Sequence, residues 1–186
     1  AGGEYTTSIQ GAWRARNSSY NKSYYDPTKT YGAWAGVNNA GNAYSGITVD
    51  FTKTPVDPFY FNPSTASTYL NITSDQTVKT RRPKTTAEGN GTVNLDVTYY
   101  PASYWAWHDD NSDGIVDVAE TKDLIQIKAA TSVCASGTSA TTTEQTTGTG
   151  CMLRAYTAEM TNFYNWFAYH RRRESSANYA MSSVIS

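Results

Sequence analysis

A chain of 186 residues has the size of one domain and can bury a working core. Its 15 Lys and Arg against 16 Asp and Glu leave a net charge of −1. That balance excludes a general nucleic-acid binder, which needs a basic face to displace counterions from phosphates. No stretch approaches the ~18 consecutive apolar residues that a membrane-spanning helix requires.

Only 17% of the residues are charged, whereas Tyr (15), Gly (13), Thr and Asn abound. Tyrosine and threonine pack on a pleat and still meet water, so the composition points to short strands and ordered loops. No signal peptide is visible, and the opening "AGGEYTTS" reads as a mature or trimmed end.

In chain order, residues 1–60 are dominated by Tyr, Asn, Gly and Trp and read as packed irregular loops with short strands. Asp26-Pro27 and Asn62-Pro63 are turn initiators, because proline fixes its own φ and holds the preceding residue extended. "KTRRPK" (79–84), a small basic patch broken by a proline, reads as solvated loop. Asn90-Gly91 is a turn dipeptide. In "TVNLDVTYY", Val93, Leu95, Val97 and Tyr99 alternate with polar residues, which predicts a half-buried strand. "SYWAW" resumes extended structure after Pro101, and Ile125 and Ile127 alternate with Gln126 and Lys128 in a further strand.

Between those two strands lies "DDNSDGIVDVAE" (109–120). Calcium takes six to eight oxygen ligands, and a twelve-residue loop offers them from positions 1, 3, 5, 7, 9 and 12 with glycine at 6. Here those positions hold Asp109, Asn111, Asp113, Ile115 (through its carbonyl), Asp117 and Glu120, with Gly114 at the turn. The side chain of Ile115 is expected beneath the loop. The spacing predicts a calcium site, capping a strand-to-strand connection and lacking flanking helices. A solvated hairpin tip is the plainer alternative.

Cys134 and Cys151 bracket "ASGTSATTTEQTTGTG", which has no apolar periodicity. A disulfide between them would stabilise the fold by about 3 kcal/mol, chiefly by restricting the unfolded chain. It would also place the protein in an oxidising, extracytoplasmic compartment.

From residue 157, Met160, Phe163, Phe167, Ala177, Met181 and Val184 recur at three- and four-residue steps, thickened by Tyr164 and Trp166. This predicts an amphipathic helix of about seven turns over 157–186. Thr157 is its expected N-cap, Glu159 faces the positive end of the helix dipole, and Arg171 pairs with Glu174. The apolar face of Phe163, Trp166, Phe167 and Met181 is expected to dock on a missing sheet or on another molecule. His108 and His170 are the two histidines, and both read as ordinary hairpin and helix residues. No G-x-S-x-G or zinc-type spacing occurs, so no catalytic residue is expected.

Three segments carry a family resemblance: 18–36, 99–118 and 158–185. They resemble the N-terminal region of bacterial type IV pilus tip-associated adhesins, where a von Willebrand A-like domain carries an insertion with a "YNPxxxYxPW"-type motif. Tyr25, Asp26, Pro27, Tyr31 and Trp34 match that motif, with Asp for Asn and Ala33 where proline is usual. The family's first long helix opens with an "NFANWYxYYRTR"-like sequence. Asn162, Phe163, Asn165, Trp166, Tyr169, Arg171 and Arg173 match it. The family's D-x-S-G-S metal motif is absent, and with it any adhesion site of that kind.

The fold implied is α+β: β-hairpins and long Tyr/Gly/Asn-rich loops over 1–156, then the helix, together part of a von Willebrand A-like domain. The resemblance implies a fragment of a secreted, non-enzymatic adhesin or fimbrial assembly protein at the bacterial surface. Its expected partners are minor pilins or neighbouring copies, with a host or abiotic surface beyond. Two alternatives stand beside it: a self-assembling subunit of an extracellular filament, and a secreted carbohydrate-binding module. Catalysis by the latter would need two carboxylates across a cleft, and outside the acidic loop the sequence has scattered ones such as Asp50 and Asp57.

Overall fold

The computed structural model describes residues 13–107, 110–115, 120, 122–134 and 150–172. It is a mixed α+β structure, with small antiparallel hairpins and a helix embedded among loops. No described helix is long and apolar enough to cross a membrane.

Among the described residues, three two-stranded antiparallel sheets form. Strands β1 (Thr54–Pro55) and β2 (Tyr69–Leu70) close the loop that the Asn62-Pro63 turn reverses, and the Asn62 side chain accepts the Ser64 N–H. Strands β3 (Gln76–Pro83) and β4 (Thr92–Tyr99) pair from Gln76↔Tyr99 to Pro83↔Thr92. In β4, Val93, Leu95, Val97 and Tyr99 are the more buried set, as alternation predicts. The expected solvated loop at 79–84 is corrected: Lys79–Pro83 belong to β3. Tertiary pairing overrides the weak local signal, since Lys79 sits opposite Asp96 and Arg81 donates to the Asn94 side chain at 3.0 Å. Proline is tolerated because it ends the strand.

Asn90-Gly91 closes a longer loop than a two-residue hairpin. Thr85 and Glu88 form a reciprocal capping box there, and Glu88 grips the Arg82 guanidinium through both oxygens. Those hydrogen bonds hold the Glu88 carboxyl down at about 2.

Strands β5 (Ser103–Trp107) and β6 (Lys122–Gln126) form the third hairpin. Trp107↔Lys122 is the pair nearest its tip. The acidic dodecapeptide therefore connects two paired strands, as expected. The described parts on either side of residues 135–149 come together: the Cys134 N–H donates to the Met152 carbonyl at 2.9 Å, and Cys134 is disulfide-bonded to Cys151.

Helix α1 (Tyr156–Asn165) continues into a π-helical segment, Trp166–His170. One expectation fails at its start: Ala155, not Thr157, occupies the N-cap, without a side-chain cap bond. Glu159 does stand in the first turn, and it is fully buried there. The described residues of the expected apolar face are buried, but the helix is not one-sided. Met160, Phe163, Tyr164, Trp166, Phe167, Ala168 and Tyr169 are all buried, so the segment is covered nearly all round. The covering comes from this chain. Tyr24 and Tyr25 meet Trp166 and Phe163 at ring separations of 4.8 and 5.1 Å, Trp34 and Tyr44 meet Tyr169, and Phe51 meets Tyr164. Phe163, Trp166 and Phe167 are thus core residues, not a bare docking face. Ala177, Met181, Val184, Arg173 and Glu174 lie outside the described residues.

Candidate functional site

The acidic hairpin tip is described at 110–115 and at Glu120; Asp109 and Asp117 lie outside the described residues, as does His108. Its turn is built by two left-handed residues, Ser112 (φ 61°) and Gly114 (φ 74°). Asn111 Oδ1 accepts the Asp113 N–H at 3.0 Å, and Asp113 Oδ1 accepts the Ile115 N–H at 2.7 Å. Asn111 also donates to Asp113 Oδ2 at 2.9 Å. Residues 110–115 are all exposed. Ile115 is therefore not tucked beneath the loop but 65% exposed. Glu120, by contrast, is buried.

The donor chemistry suits a hard cation: an amide oxygen and carboxylates around a glycine turn. Among the described residues, no three carboxylate, His or Cys side chains gather closely enough to hold one. Asn111 and Asp113 are together; Asp110, Asp113 and Glu120 do not converge.

A second constellation lies where the segment at 25–34 meets α1. Asn162 is its centre. Its Oδ1 accepts the Tyr31 N–H at 2.8 Å, and its Nδ2 donates to the Lys29 carbonyl at 2.8 Å and to the Tyr25 hydroxyl oxygen at 2.9 Å. Asn165 Nδ2 donates to the Tyr31 carbonyl at 2.9 Å. His170 Nε2 lies 2.9 Å from the Gly32 carbonyl. Arg171 stacks over Phe167 and donates to the Val56 carbonyl. From the bend before the helix, Arg154 spans the Pro27 and Lys29 carbonyls and the Glu159 carboxylate. The Asp26-Pro27 turn is set by Asp26 Oδ1, which accepts from Thr28.

Two motifs more than a hundred residues apart are in this way a single interlocked unit. The buried amide, carboxylate and hydroxyl of Asn162, Glu159 and Tyr25 are each met by a partner, which is the condition for burying them without large cost, whereas Trp34 Nε1, Tyr104 Oη and Tyr164 Oη are buried with none among the described residues. Sequence reading singled out Asn162 and Tyr31 only as motif letters. It missed Arg154, whose carbonyl partners at Pro27 and Lys29 lie 125 or more positions away, and the buried link from Glu159 to Tyr25, 134 positions away.

The Glu159 carboxylate accepts from the Tyr25 hydroxyl at 2.6 Å and from Arg154 at 3.1 Å. Burial raises its carboxyl above the ordinary value, and the bonds from Tyr25 and Arg154 oppose that rise. Burial, then the Glu159 charge, pushes the Tyr25 hydroxyl up strongly. A carboxyl raised in the folded state contributes stability that is present below its unfolded value, about 4.5, and lost as pH rises through the raised one. Glu159→Gln keeps the acceptor for Tyr25 and removes the titration. The stability of the native chain minus that of Glu159→Gln is therefore expected to fall as pH rises above about 4.5, by at most about 1.4 kcal/mol per pH unit. Urea unfolding of both proteins across this range checks it, and a flat or rising difference contradicts it.

No protein-family model, curated protein or solved structure matches this chain.

Proposed function

We propose that this chain is a non-enzymatic extracellular adhesion and assembly module, similar to the N-terminal region of type IV pilus tip adhesins. In this reading it forms the insertion and first helix of a von Willebrand A-like domain, and calcium stiffens its acidic hairpin tip through Asp109, Asn111, Asp113, Ile115, Asp117 and Glu120.

One observation supports the reading above others. The residues that carry the resemblance, Tyr25, Asp26, Tyr31 and Trp34 on one side and Asn162, Phe163, Asn165, Trp166 and Tyr169 on the other, are those that interlock. Each half of the motif needs the other to satisfy its buried polar groups. Because Phe163, Trp166 and Phe167 are covered internally, contacts to minor pilins, neighbouring copies or a host or abiotic surface fall to exposed loop aromatics. Tyr20, Phe59 and Tyr60 are of that kind.

The test is immunogold electron microscopy of cells that produce the chain, with antibody raised against it. Label at the ends of surface filaments is the expected result. Label along the filament length would replace the proposal with the fibre-subunit alternative, and label confined to the cell interior would overturn both.

A further inference from the structure

A groove of about 610 Å³ opens between the hairpin around Asn38, the turn preceding β1 and the Phe61–Pro63 segment. It shares no residue with the acidic tip or the interlocked motifs. Asn38 is its built feature. Only 6% of this residue is exposed, and its Oδ1 accepts the Ala40 and Asn42 N–H groups, both at 3.0 Å. Its own N–H donates to the Asn42 carbonyl, and its carbonyl accepts from Gly41, which turns with φ 80°. Four of the peptide N–H groups of this loop, at Asn38, Ala40, Gly41 and Asn42, are thus satisfied within it. The Asn38 Nδ2 has no acceptor among the described residues and is not sealed inside the protein. Asn38 lines the groove, and its amide keeps two donors unspent.

The other wall complements it. Asp50 spends one oxygen, Oδ1, on the Thr52 N–H and hydroxyl, and its second oxygen is left as an acceptor. Lys53 ties the walls together by donating to the Pro63 carbonyl at 3.2 Å. Asn42 adds an exposed amide, and Phe61 and Pro63 supply apolar surface. Beside this groove, Phe59 and Tyr60 are 41% and 61% exposed with rings 4.9 Å apart, and the Phe59 carbonyl accepts the N–H of Asn39.

Donors and acceptors alternate in this lining, the Asp50 and Lys53 charges cancel, and an apolar face lies alongside. A phosphate or sulfate needs net positive charge, which the groove lacks. A sugar ring has adjacent hydroxyls that both donate and accept, and a C–H face that lies on aromatic and proline surface. We propose that the groove binds a neutral oligosaccharide, with Asn38, Asn42 and Asp50 reading its hydroxyls and Phe61 supporting its apolar face. This assignment is independent of the pilus reading and survives its failure. If both hold, it names the ligand of the adhesin.

The experiment is saturation-transfer NMR on the 186-residue chain. Lactose, cellobiose and N,N′-diacetylchitobiose are the neutral probes, and a sulfated heparin disaccharide is the charged one. At least one neutral probe is expected to bind with Kd below about 10 mM and to shift the Asn38 side-chain NH₂ signals. Asn38→Asp retains the oxygen that organises the loop and removes the donors; Asp50→Asn retains the Thr52 acceptor and removes the charge. Each is expected to weaken that binding about tenfold or more, with an unchanged melting temperature. The proposal is overturned by no neutral binding at about 10 mM with native Asn38 signals unmoved, by affinities indifferent to both substitutions, or by binding of the sulfated probe alone.

Discussion

Phe163→Ala is expected to lower the free energy of unfolding by about 3–5 kcal/mol, a large part of what a domain of this size has to lose. Phe163 is 1% exposed. Its ring lies 5.1 Å from Tyr25, 5.2 Å from Trp166 and 6.4 Å from Phe167, so truncation opens a void lined by three other rings. Aromatic pairs of this geometry are each worth about 0.5–1.5 kcal/mol beyond area burial. The void cannot collapse easily either. Tyr25 is pinned by hydrogen bonds with Glu159 and Asn162, both in the helix just before Phe163. Phe59→Ala, at an exposed ring, is the control and is expected to change stability by under about 0.5 kcal/mol. Urea unfolding measures both. A loss under about 1.5 kcal/mol for Phe163→Ala would mean that the helix is not the centre of the core.

Calcium is expected to stabilise the chelator-treated chain by about 2.7 kcal/mol once its concentration is a hundredfold above Kd. The source in this reading is relief of repulsion among the acidic side chains of 109–120, where the Asp113 carboxylate already accepts two hydrogen bonds from its own loop and the Asp113 N–H donates a third. Those bonds brace the turn without neutralising its charge. Amide signals of Asp113, Gly114 and Ile115 are expected to shift on titration, and exchange across β5 and β6 to slow. Magnesium is expected to substitute poorly, because it demands tight octahedral geometry and keeps its waters. Unmoved tip signals at millimolar calcium would remove the ion from the account and leave the interlocked core untouched.

Some of this protein was decided by sequence alone. Alternation of Val93, Leu95, Val97 and Tyr99 specified a half-buried strand, because in a strand neighbouring side chains point to opposite faces. Asp26-Pro27 and Asn62-Pro63 specified turns, since the short polar side chain binds the backbone two residues on. The hairpin beneath the acidic loop followed from two extended segments too close to do anything but pair. In all these cases the determining contacts lie within a few residues.

Tertiary structure decided the rest. Lys79–Pro83 became strand because β4 stands opposite, which no local window contains. The helix reads as one-sided, and it is enveloped because aromatic loops over a hundred positions earlier fold around it. Glue for that envelope comes from Glu159 and Arg154, charged residues whose burial is tolerable only beside carbonyls and a tyrosine brought from residues 25–29. The same holds for the groove at Asn38: "NNAG" announces a turn, but the donors it leaves facing Asp50 and Phe61 exist only once three loops are laid side by side. Local propensity is a property of neighbours in sequence, whereas the satisfaction of a buried polar group is a property of neighbours in space.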